Sequence, residues 1–181
     1  STQPIRGRDD LVKSKAWLPT GDVVSEATYK AAGVNPVPLS IADVYTALQT
    51  GLVDTVANTP SGTIAFQWHT KVRHLVDMPI AYLIGIVALD GRTFNKLSDG
   101  DKAIVREVFA EGGKRLEQQT ARDDASAREA LRGEGIELFQ PDGDEVAYWR
   151  SVGEEAANEL MQRNVFNREN YDAMMSALRG A

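Results

Sequence analysis

Cysteine is absent from the 181 residues. With no thiol there is no disulfide framework, no thiolate metal site and no cysteine nucleophile. The absence fits an oxidising compartment, where stray thiols are a liability. Histidine is nearly absent: His69 and His74 are the only two. Five residues apart, they suit neither one helix face nor one strand face, so they read as surface or capping residues rather than a metal pair. The sequence has no G-x-S-x-G elbow, no Gly-rich phosphate loop, and no Ser-His-Asp set that spacing can pick out. Long hydrophobic runs are missing as well. The longest, 80–89, is interrupted by Gly85 and has the length of a strand, not of a bilayer-crossing helix. An excess of basic charge is lacking too: 20 Lys and Arg stand against 26 Asp and Glu, a net charge of -6. That balance argues against a nucleic-acid partner.

What is present is an ordinary globular composition, 43% hydrophobic and 25% charged, sufficient for a buried core. The opening Ser1-Thr2-Gln3-Pro4 is polar and starts no signal peptide, so either an address was removed or there was none. The first half alternates short strands with helices. Residues 15–19 read as a strand ending at Pro19. Thr20-Gly21-Asp22 then opens a helix with Val23, Val24, Ala27 and Ala31 on one side, closed by Gly33. Residues 34–39 hold Pro36 and Pro38, which remove two ladder donors and leave an edge or very short strand. Ser40-Ile41-Ala42-Asp43 resembles a capping box. Ile41, Val44, Tyr45 and Leu48 follow at the i, i+3, i+4, i+7 spacing of one buried helix face, and Gly51 ends that helix. A strand over 52–57 leads to Asn58-Thr59-Pro60, with Thr59 as N-cap and Pro60 at the first helical position. Strands are expected over 71–78 and 80–89. The second is continuously apolar and so expected to be central and covered on both faces.

The second half is helical. From Ser98 to about Arg132 the only strong breakers are Gly112 and Gly113, which predicts one very long helix. Ile104, Val105, Val108, Phe109 and Leu116 form its apolar stripe; beyond Glu117 it turns polar and alanine-rich, a part that either lies on solvent or supports something else. Gly133 and Gly135 end it. A lone strand over 136–139 precedes a helix started by Pro141-Asp142-Gly143-Asp144, and a last helix begins near Asn167. Asp99-Gly100-Asp101 and Asp142-Gly143-Asp144 lack the regular oxygens and terminal Glu of a calcium loop, and read as helix caps. No carboxylate pair sits in the apolar setting that acid-base catalysis requires.

Chemistry points to one place. Turns at Thr20-Gly21, Ser40-Ile41 and Asn58-Thr59-Pro60 follow three successive strands. In an open α/β sheet, ligands bind in the crevice beyond the carboxyl ends of the strands. Free N–H groups there favour an anionic or polar ligand. The plainer alternative is a set of ordinary loops capping ordinary helices. Trp17, just before the first turn, is either core or a flat platform for a ligand.

The sequence Asn35-Pro36-Val37-Pro38-Leu39-Ser40, followed by Asp43-Val44-Tyr45-Thr46-Ala47-Leu48-Gln49-Thr50-Gly51-Leu52-Val53-Asp54, closely resembles the signature of the DctP-type solute-binding proteins of TRAP transporters. The flanks agree. Pro4-Ile5 with Asp9-Asp10-Leu11 is similar to the family's approach to its second lobe. Phe94-Asn95-Lys96-Leu97-Ser98 with Asp101-Lys102-Ala103-Ile104 is similar to the start of its long helix, and Ile136 with Pro141-Asp142 to its late strand and turn.

The resemblance implies an α/β fold: a periplasmic-binding-protein-like lobe with a small mixed sheet flanked by helices, one very long helix and C-terminal helices. Residues 1–134 would form the ligand-binding lobe with its long helix. Residues 135–181 would add the short strand and the C-terminal helices. The N-terminal lobe of these two-lobed receptors would be missing, leaving apolar surface exposed and favouring self-association. The implied role is non-catalytic, with no cofactor and no metal: capture of a small carboxylate in the periplasm for a sodium-coupled membrane permease. The competing readings are an α/β enzyme domain or a ligand-sensing domain using the same crevice. The resemblance places Trp17, Ile41 and Asn58 at the ligand, and the convergence of the three turns adds Thr59, whose following N–H groups can serve an anion. Asn58 matches the family's asparagine. Trp17 stands where the family carries a carboxylate-clamping arginine, and Ile41 where many members carry an aromatic ring. Thr55 and Val56 replace the usual Gly and Gln.

Overall fold

The computed structural model describes residues 1–179 apart from Tyr82 and Ile84. Along the chain the elements are α1 (Arg8–Lys13), β1 (Trp17–Pro19), α2 (Val23–Ala31), β2 (Val37–Leu39), a 3₁₀ turn (Ile41–Asp43), α3 (Val44–Thr50), α4 (Pro60–Ala65) and a second 3₁₀ turn (Trp68–Thr70). These are followed by β3 (His74–Val76), α5 (Gly91–Asn95), α6 (Asp99–Gly133), β4 (Glu137–Phe139), α7 (Gly143–Gln162) and α8 (Arg168–Arg179). The helix starts follow the caps in the sequence. Asp22, Thr59, Ser98 and Asp142 each accept a backbone N–H of their own first turn. The stops do too: Gly33, Gly51 and Gly135 all have positive φ, which a side chain would disfavour.

The single sheet expected from the strand pattern is not formed as such. Among the described residues there are two two-stranded sheets, β1–β2 and β3–β4, both parallel. The strand expected over 52–57 contributes only a bridge, Ala16 to Thr55, on the other side of β1 from β2. Each run is too short to carry a ladder further, because prolines and turns interrupt it. The first two residues tie the halves together. Thr2 N donates to Asp54 O (2.8 Å), while Ser1 O accepts from Arg73 N (2.9 Å) and His74 N (3.1 Å). Ser1 N donates to His74 O (2.8 Å). The spatial order is therefore β2, β1, 53–55, 1–2, β3, β4, each neighbour joined by backbone hydrogen bonds.

The main core lies under this array. Trp17, Val44, Leu48, Val53, Trp68, Leu131 and Ile136 come from six different segments and form one buried cluster. A second layer packs α7 against α2 through Ala27, Ala156 and Leu160. Lys30 and Glu159 bridge the same pair of helices at 3.0 Å. His74, in β3, lies beside Glu137 of β4 (Nδ1 to Oε2, 3.3 Å).

One apolar segment departs from expectation. The strand expected over 80–89 is absent among the described residues, with Tyr82 and Ile84 lying outside them. Ile80, Leu83, Ile86, Val87 and Leu89 are exposed, Ile86 to 85%. A β-rich run needs a neighbouring strand and a covering layer, and among the described residues it has no paired strand. In the long helix the distal part supports the lobe, one of the two roles open to it. Its apolar first half is bare, with Ile104, Val108, Phe109 and Leu116 all exposed. Its polar, alanine-rich end is the docked part, burying Ala127 and Leu131.

Candidate functional site

β2, β1 and the 53–55 segment run parallel and adjacent, so the turns that follow them open on one edge. The N–H of Thr20, after β1, donates to Leu39 O at the end of β2 (3.2 Å), which closes that edge. The 3₁₀ turn after β2 begins with Ile41, which is 48% exposed. Ser40 Oγ and the Asp43 carboxylate fasten the turn at 2.7 Å. Across β1, roughly two strand spacings or about 10 Å away, stand Asn58 and Thr59.

The Asn58 loop is tightly bonded. Asn58 Oδ1 accepts from Thr59 N (2.8 Å). Thr59 Oγ1 accepts from Gly62 N (3.0 Å) and shares a hydroxyl contact with Ser61 (3.2 Å). Gly62 lets the loop close this tightly: a Cβ would come within 2.6 Å of Asn58 Oδ1 and 3.0 Å of Thr59 Oγ1, so the Asn58 carboxamide would have to shift. Ser61 reaches the long helix, where its N–H (3.2 Å) and its hydroxyl both donate to Asp124 Oδ1.

Ile41, Asn58 and Thr59 thus share one edge, but Trp17 does not join them there. Its side chain points into the core and is only 5% exposed. The indole Nε1–H donates to Leu39 O at 3.0 Å, and the ring meets Trp68 edge-on with centroids 5.3 Å apart. Trp17 O accepts from the Tyr29 hydroxyl (3.2 Å). Burial, reinforced by the Asp22 carboxylate, pushes that phenol up to about 12. The flat ligand-facing wall expected at Trp17 is therefore replaced by a core tryptophan under the edge. Core packing wins because the turn carbonyl of Leu39 satisfies the indole N–H, so the whole ring can be buried without an orphaned donor.

Asp124 and Ser61 were not among the residues singled out in the sequence. The signal was present: Asp124, Ala127, Arg128 and Leu131 have the i, i+3, i+4, i+7 spacing of one helix face. An acidic residue at the end of that face is easily taken for solvent decoration. A separate hollow of about 210 Å³ lies along β3 and β4, beside Ile5, Arg6, His74 and Glu137, and includes none of the four expected site residues.

The model of the bacterial extracellular solute-binding proteins, family 7 (DctP), matches residues 1–164. The chain belongs to this family. It is 29% identical over 145 residues to the sialic acid-binding periplasmic protein SiaP of Vibrio cholerae, covering 78% of this chain and 44% of that protein. It is 24% identical over 161 residues to the C4-dicarboxylate-binding periplasmic protein DctP of Rhodobacter capsulatus, covering 88% and 48%. Among solved structures, a TRAP periplasmic solute-binding protein from Xanthobacter autotrophicus Py2 with bound β-D-galacturonate superposes with a TM-score of 0.80 at 19% identity. That match takes in 99% of this chain and 57% of the other. A Roseobacter denitrificans relative with bound β-D-glucuronate also gives 0.80, at 22% identity over 90% and 53%. At such identities the likeness is one of fold: an α/β lobe of a TRAP periplasmic binding protein. The chain spans about half the length of the curated relatives it matches.

Proposed function

We propose that this family 7 chain is the second, ligand-binding lobe of a TRAP-transporter receptor. It captures a small organic acid in the periplasm and hands it to a sodium-coupled membrane permease, without catalysing a reaction. Residues 1–134 and 135–181 act as one lobe, since β4 pairs with β3 and α7 lies on α2. The observation that carries the reading is the common edge formed by the turns after β1, β2 and 53–55, with Asn58 and Ile41 on it. The relatives supply the ligand class: sialic acid, C4-dicarboxylates and sugar acids are named for them.

On this edge Asn58 is the polar contact. Its Oδ1 is engaged by Thr59 N, so its NH₂ is the group offered to a ligand oxygen. Ile41 supplies an apolar side. Thr59 holds the loop, and Trp17 supports the edge from below. With Trp17 in the strand where the resemblance puts an arginine, this lobe brings no guanidinium to the carboxylate through β1. A fork-shaped cation for that group then comes from the other lobe. That lobe also covers 80–89 and the first half of α6.

Calorimetry on the full-length protein with sialic acid, galacturonate, glucuronate and C4-dicarboxylates tests the reading. One of these acids should bind. Asn58→Ala should then weaken it by about 1–2 kcal/mol, the cost of a lost buried hydrogen bond. No binding across the panel, or unchanged affinity in the variant, contradicts it.

A further inference from the structure

We propose that Asp124, on the long helix, is a positioning residue for the ligand loop 58–61. The inference rests on the reading of Asn58 as a ligand contact and adds the group that holds it in place. α4 has only six residues. A helix so short does not persist by itself, so the loop feeding it needs an external anchor. Asp124 provides one. Its Oδ1 accepts both donors of Ser61, the backbone N–H and the hydroxyl. Ser61 Oγ contacts Thr59 Oγ1, and Thr59 N in turn fixes Asn58 Oδ1. The bonds form an unbroken series from the long helix to the carboxamide.

The anchor is itself held. One turn further along, Arg128 pairs with Asp77 at 3.3 Å, and Asp77 is only 14% exposed. Ala127 and Leu131, on the same face, are buried. Asp124 thus sits on the part of α6 that is fixed by both apolar packing and an ion pair. A carboxylate accepting two hydrogen bonds from one residue sets both the position and the rotation of Ser61, which a single neutral contact does not.

The test uses hydrogen–deuterium exchange on the full-length protein without ligand, together with the NMR signal of the Asn58 side-chain NH₂. In Asp124→Ala, exchange at Ser61 and Gly62 should quicken about tenfold, as expected for loss of a charge-assisted bond, and the Asn58 signal should move. Asp124→Asn keeps an amide oxygen for both donors, so it should stay within about threefold of the parent. Should Asp124→Ala fail to fold, Ser61→Ala, which removes the hydroxyl's contacts to Asp124 and Thr59 but keeps the Ser61 N–H bond to Asp124, should still raise loop exchange about threefold. Parent-like exchange in Asp124→Ala, or in Ser61→Ala where that variant carries the test, overturns the proposal. So does an Asn variant as loose as the Ala variant. Failure of the ligand reading looks different: Asn58→Ala binds as the parent does, while Asp124→Ala still loosens the loop. That result makes Asp124 a purely structural anchor and overturns its role at a ligand site.

Discussion

Replacing Trp17 separates a core tryptophan from a ligand-facing one. In Trp17→Phe a ring remains against Trp68, but the indole N–H to Leu39 O is lost. Leu39 O keeps the bond from Thr20 N at 3.2 Å, so the carbonyl is not orphaned. The hydrogen-bond cost therefore stays near the net value of about 1 kcal/mol rather than a full desolvation penalty. The smaller ring leaves a void of roughly 40 Å³, which at about 24 cal/mol per Å³ adds about 1 kcal/mol. The sum, about 2 kcal/mol, lowers the melting temperature of a chain this long by roughly 4–8 °C. Trp17→Arg is harsher. It places a guanidinium at a position 5% exposed, among Val44, Leu48 and Trp68, with no carboxylate in that cluster to pair it. A loss of several kcal/mol, and with it most of the folded population, is expected. Urea denaturation followed by tryptophan fluorescence and far-UV circular dichroism reads both variants. A Trp17→Arg protein as stable as the parent, and tighter for simple carboxylates, would refute the argument. It would mean that this position faces the ligand.

Other outcomes follow from the same structure. Tyr29 keeps its proton up to about 12 in the folded state, whereas an unfolded tyrosine loses it near 10. Its stabilising contribution is thus intact below pH 10 and is lost as pH rises toward 12, by at most about 2–3 kcal/mol. Urea midpoints between pH 9 and 12 should fall less steeply in Tyr29→Phe. Removing the Thr59 cap with Thr59→Ala should cost about 1 kcal/mol, read from the same denaturation curves. The 181-residue chain alone should self-associate through its exposed apolar residues Ile80, Leu83, Ile86, Val87 and Leu89 and those of the first half of α6, because exposed apolar surface of this kind is covered when a partner is available. Light scattering that finds a clean monomer at high concentration contradicts this, and Phe109→Glu with Ile86→Glu should shift an observed dimer toward monomer.

Local chemistry was the legible part of the sequence. Asp22, Thr59, Ser98 and Asp142 announce helix starts, and Gly33, Gly51 and Gly135 mark helix ends, because caps and positive φ depend on neighbours only a few residues away. The length of α6 was readable from the lack of breakers. Tertiary partners were not. Nothing near 80–89 in the sequence signals that Ile80, Leu83, Ile86, Val87 and Leu89 stand exposed, although the run has the composition of a central strand. For the same reason the sequence marks the stripe from Ile104 to Leu116 but not which part of α6 is docked, a place held by Ala127 and Leu131. The sheet was over-extended in the reading because its continuity depends on Ser1 and Thr2 lying between 53–55 and β3, a pairing across more than fifty residues. At the site, the turns with Ile41, Asn58 and Thr59 were legible as turns. The burial of Trp17 depended on Leu39 O and Trp68, neither of which sequence spacing brings next to it.

The most direct measurement is a crystal structure of the full-length protein with its acid bound. The ligand should be seated at the edge formed after β1, β2 and 53–55. Asn58 Nδ2 should lie about 3 Å from a ligand oxygen, Ile41 against its apolar side, and Trp17 still beneath in the core. A second lobe should cover 80–89 and the first half of α6. A ligand bound elsewhere, with Asn58 open to solvent and that apolar surface still bare, would contradict it.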